Sequence, residues 1–356
     1  MTQPVRAFGA RTILSHGGGD VAVSRHEIER MTHIKTIADA PLSPAEPAEG
    51  RRRGIWSRLG PSNPAVFPWV LMAPTLIVLF AIGVYPFLYA LYIAGHNVIL
   101  SKPYVPRFFV GLYQYQAVIQ DPEFWSALKT TIWFTVQAVF IEFWLGLGLA
   151  LLFQRRLLGA GIMRVFILIP MILPPLVAAL IWRYMFYPGA GLVTYYGGGV
   201  TRALGWGEIP FLSDPTIAFH TLVFVDVWEW TPFMFLMMSA GLASIPRQPY
   251  EAAEIDGASA WRVFWTITMP LLRPAMLIAV VIRTMDAFRT YELIVVMTRG
   301  GPGNATTTLN VYLTKTGLEF FDASKAAAIS LVMMMVIIVM SFVFIRALRS
   351  RTETAE

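Results

Sequence analysis

Charged side chains within long apolar runs are the part of this sequence that could do chemistry. A charge in hydrocarbon requires a partner, water or a cavity, so such residues are functional candidates. The densest set is Arg283, Asp286 and Arg289, whose spacing of three leaves neighbouring pairs close enough to interact on a helix. Glu142 and Glu292 are further charges of this kind. Two interpretations stay open: an internal ladder of ion pairs between helices, and the polar wall of a translocation path.

A second patch combines acids with aromatic rings just before Pro232. It contains Asp226, Glu229 and Trp230. Carboxylates accept hydrogen bonds from sugar hydroxyls, and an indole can lie against the apolar face of a sugar ring, so a sugar-binding cavity is chemically apt. Packing is the more common role of a single Trp, and Pro232 can kink a helix without any ligand.

The usual catalytic and metal-binding motifs are missing from the sequence. We find no phosphate-binding loop, nucleophile elbow, His-Glu-x-x-His pattern or Cys, so neither a catalytic nor a metal site is predicted. His220 is the only His within an apolar run, and we expect it to be an ordinary hydrogen-bonded helix residue. Energy for any uphill transport would therefore come from a partner or an ion gradient.

A charged stretch, residues 251–274, lies between two apolar runs and is expected on one aqueous side of a membrane. Small residues on one helical face would let another backbone approach closely, and Gly257 permits a sharp turn. These features are typical of a docking surface. An interfacial helix between two membrane spans is the alternative, which residue chemistry alone leaves about equally open.

This stretch resembles the EAA loop of permease subunits from binding-protein-dependent ABC importers, closest to their carbohydrate-uptake branch. Acidic, small, Gly and Pro residues in family order carry the resemblance: Glu251, Ala252, Ala253, Asp256, Gly257, Ala258, Phe264, Ile267, Pro270 and Pro274. The resemblance implies an all-α, type I (MetI-like) importer permease with six transmembrane helices. Residues of about 247–270 would form its cytoplasmic coupling loop, seated in a groove of the ATPase subunit.

The resemblance also implies partners for this chain. They would be a second homologous permease, two ATPase subunits that bind ATP and Mg, an extracytoplasmic sugar-binding protein and membrane lipid, with no nucleic acid. The chain itself would hold no cofactor. The translocation path would then contain Asp226, Glu229, Trp230, Arg283, Asp286 and Arg289.

Two further stretches resemble the sugar-type branch. Residues 283–289 are similar to the fifth span of trehalose- or maltose-type disaccharide permeases, and Gly300, Gly301 and Pro302 are similar to the loop after that span. The implied function is ATP-driven import of a carbohydrate such as trehalose or maltose. The exact sugar, its binding protein and the permease that makes the main substrate contacts stay open.

Composition places the chain among multi-span membrane proteins. Of its 356 residues 56% are hydrophobic and 14% charged, and the mean hydropathy is +0.58. The net charge of +6 comes from basic clusters beside apolar runs, a pattern that suits orientation in a membrane better than binding of nucleic acid.

Six apolar runs are predicted to span the membrane, each near the roughly 20 residues that cross a bilayer. They are 67–94, 125–153, 163–186, 216–242, 271–297 and 326–347. Pro170, Pro174 and Pro175 indicate that the third is broken.

Basic residues predict the orientation of these spans. One side collects most of them, including Arg51, Arg52, Arg53, Arg58, Arg155, Arg156, Arg164, Arg247, Arg262, Arg273, Arg346, Arg349 and Arg351. The positive-inside rule therefore places both termini and the 251–274 stretch in the cytoplasm. The resemblance to importer permeases further implies a multi-pass protein of the bacterial inner membrane. Residues 1–62 are expected to be a disordered basic tail, 63–350 the six-helix domain and 351–356 a short cytoplasmic tail, and Met31 is an alternative to Met1 as the native start.

Two rival classes of protein remain. A secondary transporter would use Asp226, Glu229 or Asp286 as an ion-coupling site, although no internal repeat is evident between the two halves. A membrane-embedded enzyme would need a nucleophile or a metal cluster, and the candidate residues are too scattered for either.

Overall fold

Helices make up most of the described chain. The computed structural model describes residues 67–155, 158–203, 205 and 209–349. Between helices this part contains turns and two isolated bridges, which join His96 to Phe109 and Ile99 to Asp322. The all-α prediction is therefore confirmed.

Several predictions concern residues outside the described part. They are the tails 1–62 and 351–356, the alternative starts Met1 and Met31, and the basic residues Arg51, Arg52, Arg53, Arg58, Arg156 and Arg351. The chain divides into two units between Thr75 and Leu76. Residues 67–75, the beginning of the first helix, are the described part of the first unit. Both candidate sites below lie in the second unit.

Long helices alternate with short ones along the chain. In order they are α1 (Phe67–Ala94), α2 (Tyr113–Gln120), α3 (Pro122–Leu152), α4 (Ala160–Ile172), α5 (Pro175–Met185), α6 (Leu192–Ala203), α7 (Pro215–Ala243), α8 (Gln248–Ile255), α9 (Ala260–Ala287), α10 (Glu292–Met297), α11 (Leu309–Thr314) and α12 (Ala323–Arg349). Among the described residues, α1, α3, α7, α9 and α12 are each long and apolar enough to cross a membrane. The pair α4 and α5 reaches that length together, which agrees with six predicted spans.

The third predicted span is broken, as its prolines indicated. α4 and α5 meet at 96°. Leu173 and Pro174 are extended, with ψ of 137° at both. Each precedes a proline, and the proline ring disfavours a helical conformation of the residue before it. The backbone therefore leaves the helix here and starts again at Pro175.

The fifth span differs from its predicted bounds at both ends. The prediction was 271–297, whereas the helix runs from Ala260 to Ala287 and includes one wider turn at Phe264–Thr268. The sequence stays apolar as far as residue 297, but α10 is a separate helix. Asn310 explains part of the break, because its side-chain amide donates to the Arg289 carbonyl at 2.8 Å after the helix has ended.

Two glycines let α7 pack closely between α3 and α9. A Cβ on Gly146 would lie 2.5 Å from the Met234 Cβ, and one on Gly241 would lie 2.6 Å from the Ala275 Cβ. Any side chain at either position would push the helices apart. Small residues at helix contacts serve this close approach in membranes. The three packed helices hold the first candidate site.

Large apolar side chains stay exposed on the outward faces of the spans. Ile82 on α1 is 73% exposed and Phe140 on α3 is 63% exposed. Such surfaces suit lipid or another membrane chain rather than water.

Candidate functional site

A buried ion cluster around Arg283 lies where α3, α7 and α9 meet. Arg283 on α9 is 1% exposed, and Glu142 on α3 is fully buried. The guanidinium donates from Nε to Oε2 of Glu142 at 2.8 Å and from Nη2 to Oε1 at 3.0 Å. This two-bond pairing is a strong and specific geometry for an arginine and a carboxylate.

Two more carboxylates and an indole complete the cluster. Nη2 of Arg283 also donates to Asp226 on α7, and Nη1 donates to Asp286, one turn along α9, at 3.2 Å. The ring of Trp230 lies 5.0 Å from the guanidinium carbon, which is a cation–π geometry. One guanidinium thus joins three helices.

The cluster favours the ion-pair interpretation for its buried members. Arg283, Glu142 and Asp226 are each 2% exposed or less, so a solute in a cavity would not touch them. Asp286 differs because its side chain is 43% exposed. The spacing of three residues predicted the Arg283–Asp286 pair. No sequence pattern predicted that Glu142 is the main partner of Arg283, because the two residues are 141 positions apart in the chain.

Arg289 and Glu229 do not join the cluster. Arg289 follows the end of α9, is exposed, and donates from Nε to the Met285 carbonyl at 3.3 Å. The ion-pair interpretation therefore does not extend to Arg289. Glu229 is buried, with 2% of its surface exposed, and it lies within electrostatic range of Asp226 and Arg283. It forms no hydrogen bond or ion pair with any residue of the described part of the chain.

Exposed polar side chains remain where α9 ends. Asp286, Arg289 and Glu292 all reach the surface, and Tyr291 between them is half-buried. Together they offer carboxylate acceptors, guanidinium donors and an aromatic ring, which is the chemistry that a sugar requires. No three His, Cys, Asp or Glu side chains in the described ranges are grouped to hold a metal ion.

The second candidate site is α8 with the turn that follows it. Gly257 has a φ of +65°, and its N–H donates to the Glu254 carbonyl at 3.1 Å. The N–H of Ala258 donates to the Ala253 carbonyl at 2.9 Å, which completes a Schellman motif. Ser259 then caps α9 by accepting a backbone N–H of its first turn at 3.4 Å. Glycine is favoured here because the turn needs a left-handed residue.

One face of α8 is anchored and the other is free. The Tyr250 hydroxyl bonds to the Thr268 hydroxyl at the base of α9, at 3.1 Å, and Ala253 is 8% exposed. Ile255 is 87% exposed. Of the predicted coupling residues, the exposed ones are Glu251, Ala252, Asp256, Gly257 and Pro270, and the half-buried ones are Ala258 and Phe264. Ala253 instead turns inward.

Two tryptophans beside this turn are not among the predicted coupling residues. Trp261 is 72% exposed and Trp265 is 43% exposed, with ring centroids 5.6 Å apart. Phe264 lies between them in the chain and contacts both rings. Three aromatic residues within five positions was the available signal.

A third polar group joins the start of α3 to the start of α12. Asp121 accepts hydrogen bonds from Lys325 Nζ at 2.6 Å and from the Tyr312 hydroxyl. Burial by itself would raise the pKa of Asp121, but the bonds from Lys325, Tyr312 and the Glu123 N–H outweigh it and lower that pKa. Burial, and then the bond to the carboxylate, raise the pKa of Tyr312. No pattern in the sequence predicted this group.

Comparison with known proteins identifies the family. The model of the family "Binding-protein-dependent transport system inner membrane component" matches residues 142–354. The match includes the cluster residue Glu142, all of α8 and the end of α9.

Curated relatives match over most of their length. The trehalose/maltose transport system permease protein MalF of Thermococcus litoralis is 35% identical over 80% of this chain and 94% of its own. The sulfoquinovosyl glycerol transport system permease protein SmoG of Agrobacterium fabrum is 36% identical over 83% of this chain and 94% of its own.

A solved structure supports the fold. A chain of a bacterial ABC transporter involved in the import of the acidic polysaccharide alginate superposes with a TM-score of 0.68 at 19% identity, covering 80% of this chain and 96% of that one. The predicted importer-permease fold is therefore confirmed, as is the prediction of a transport subunit rather than an enzyme. This chain belongs to the family of inner membrane components of binding-protein-dependent transport systems.

Proposed function

We propose that this chain is the transmembrane subunit of an ATP-driven carbohydrate importer, with a disaccharide such as trehalose or maltose as substrate. The observation that carries the proposal is the exposed α8 helix with its Schellman turn at Gly257. It presents Glu251, Ala252 and Asp256 to a partner while its other face is anchored. The named function of the Thermococcus relative supports the substrate class.

The helix α9 is the element that connects docking to transport. It spans 28 residues, which is about 42 Å at about 1.5 Å per residue. Thr268 in the third turn bonds to α8, and Asp286 lies at the far end among exposed polar groups. A movement of α8 would therefore be carried along one helix to the polar surface at residues 286–292.

The proposed mechanism is alternating access. ATP and Mg²⁺ bind to two partner ATPase subunits, whose closure moves α8. A second, homologous permease completes the path, and an extracytoplasmic binding protein delivers the sugar. Such coupling requires that the ATPases contact the α8 surface differently in their two states.

The path itself is assigned to the exposed group of Asp286, Arg289 and Glu292. Arg283 acts behind it: Asp226 and Trp230 hold its guanidinium against α7, and its 3.2 Å hydrogen bond orients Asp286. Glu229 lies beside the buried cluster and would reach a substrate only if α7 moves.

Orientation and domain limits form part of the same proposal. Both termini and α8 would lie in the cytoplasm of a bacterial inner-membrane protein, with the tails 1–62 and 351–356 flanking a six-helix domain of residues 63–350. Arg155, Arg164, Arg247 and Arg262 lie near the ends of spans on the side assigned to the cytoplasm.

Affinity purification from native membranes in mild detergent tests the proposal. We expect an ATPase and a second six-span chain to co-purify, and the reconstituted complex to take up sugar only with ATP. Recovery of the chain alone, with uptake retained in liposomes without ATP, would contradict the proposal. The unpaired Glu229 would then become the first candidate for ion coupling.

A further inference from the structure

A small polar pocket lies apart from both candidate sites. The start of α3, the loop before α11 and the turn after α11 line a partly open pocket of ≈ 200 Å³. Its lining includes Glu123, Asn304, Thr307, Tyr312, Lys315 and Glu319. The larger cavities of the described chain are lined mainly by apolar side chains, so this Lys315 pocket differs from them in chemistry.

The charged groups of the Lys315 pocket have no partner within the protein. The side chains of Glu123, Lys315 and Glu319 form no hydrogen bond or ion pair with any residue that the structure describes. Charged groups in a cavity that have no protein partner are available to a ligand. They offer one ammonium donor and two carboxylate acceptors.

Other parts of the wall are held in place. Tyr312 is bonded through its hydroxyl to Asp121, so the orientation of its ring is fixed. Thr307 donates to the Gly300 carbonyl at 3.0 Å. Gly300 has a φ of +82°, and a Cβ there would lie 2.5 Å from the Thr307 hydroxyl and 3.1 Å from Lys315 Nζ. The absence of a side chain at residue 300 thus leaves room for the lysine head beside the loop.

We propose that the Lys315 pocket binds a single neutral sugar ring, as a subsite separate from the path at residues 286–292. Ammonium and carboxylate groups bind the ring hydroxyls, and the ring of Phe320, which also lines the pocket and is 64% exposed, lies against the apolar ring face. At about 30 Å³ per water, the cavity of ≈ 200 Å³ has the volume of six or seven waters, which suits one ring rather than two.

Charge selects a neutral ligand over an anionic one. Two carboxylates against one ammonium leave the pocket with a net charge of −1, which repels phosphate, sulfonate and carboxylate groups. The inference rests on the proposed function for the identity of the ligand as a carbohydrate. It adds that the chain binds a neutral ring of the transported sugar at a second place, outside the path.

Photoaffinity labelling tests the subsite directly. The full-length chain in lipid nanodiscs is labelled with a diazirine derivative of glucose, and the labelled peptides are mapped by mass spectrometry. We expect label on the segments around Glu123 and Lys315, displaced by excess glucose or trehalose and not by glycerol phosphate. Lys315→Met and Glu319→Gln should each lower that label about tenfold, as expected for one lost charge-assisted hydrogen bond. Lys102→Met, at an exposed lysine outside the pocket, should leave it unchanged.

The residues that carry the label show whether the subsite proposal or the importer proposal is wrong. Displaceable label confined to residues 286–292 would overturn the subsite and leave the proposed path standing. Pocket label that Lys315→Met and Glu319→Gln do not alter would overturn the subsite as well. Displaceable label in the pocket, together with uptake that needs no ATP, would support the subsite and contradict the importer proposal.

Discussion

The charged side chains of the cluster around Arg283 are paired and mostly buried, whereas those of helix α8 and the turn after it are exposed to solvent. In the cluster, one arginine donates to three carboxylates, and Arg283 and Glu142 are almost completely buried. On α8, Glu251, Glu254 and Asp256 are exposed. Charges that are satisfied inside one chain serve that chain's own structure. Charges that stay free on an ordered surface are available to a partner.

The largest effect is expected at the centre of the cluster. Arg283→Met leaves Glu142 and Asp226 buried without a cation, and breaking a buried pair costs about 3–5 kcal/mol. Thermal unfolding of the detergent-solubilised chain measures the loss. Arg289→Met is the matched control, since that arginine is exposed and we expect a change within about 0.5 kcal/mol. Equal unfolding midpoints for the two variants would show that the cluster does not stabilise the fold.

A smaller, local effect is expected at Gly257. Valine in a left-handed conformation costs about 1–2 kcal/mol, and the position is free of steric contacts, so the effect is conformational. We expect Gly257→Val to lower ATP-driven uptake by the assembled importer while global unfolding changes little. Asparagine tolerates the left-handed region, so Gly257→Asn should retain more uptake. Uptake equal to the parent in the valine variant would remove α8 from the coupling mechanism.

Asp286 distinguishes the exposed edge of the cluster from its interior. Its side chain is 43% exposed and accepts only one of the Arg283 hydrogen bonds. We therefore expect Asp286→Asn to cost less than about 1 kcal/mol in stability and to lower the rate of sugar uptake about tenfold. Unfolding and uptake are measured on the same preparation. If the variant unfolds as early as Arg283→Met, Asp286 belongs to the buried cluster and not to the path.

The smallest effect is a pH dependence at Asp121. Its pKa in the folded chain lies below the value of about 3.9 for an unperturbed Asp. The stabilisation from its ionised form is therefore complete above about pH 4 and is lost as pH falls through the lower folded pKa. We expect the unfolding temperature of the parent to fall more steeply below about pH 4 than that of Asp121→Asn, which keeps the side-chain oxygen that caps α3. Parallel pH curves would contradict this.

Features that depend on local sequence were predicted well. The spans follow from apolar length, the break of the third from Pro174 and Pro175, and the turn after α8 from Gly257. The end of the fifth span was predicted wrongly, because the apolar run continues to residue 297 while the helix ends at Ala287. Hydropathy depends only on which residues are present in a stretch. It therefore does not register the hydrogen bond from Asn310, 21 residues further along the chain, to the Arg289 carbonyl after this helix.

The sequence by itself determined the membrane class of this chain, the approximate spans and the motif that resembles a coupling loop. These depend on composition, period and order, which a linear chain displays directly. Only the tertiary structure decided how the intramembrane charges divide. Glu142 pairs with Arg283 across 141 residues because Gly146 and Gly241 let three helices approach closely. Asp286 and Arg289 remain exposed because α9 ends between them. The energy of a buried charge depends on what surrounds it in space, and that arrangement exists only once the helices have packed.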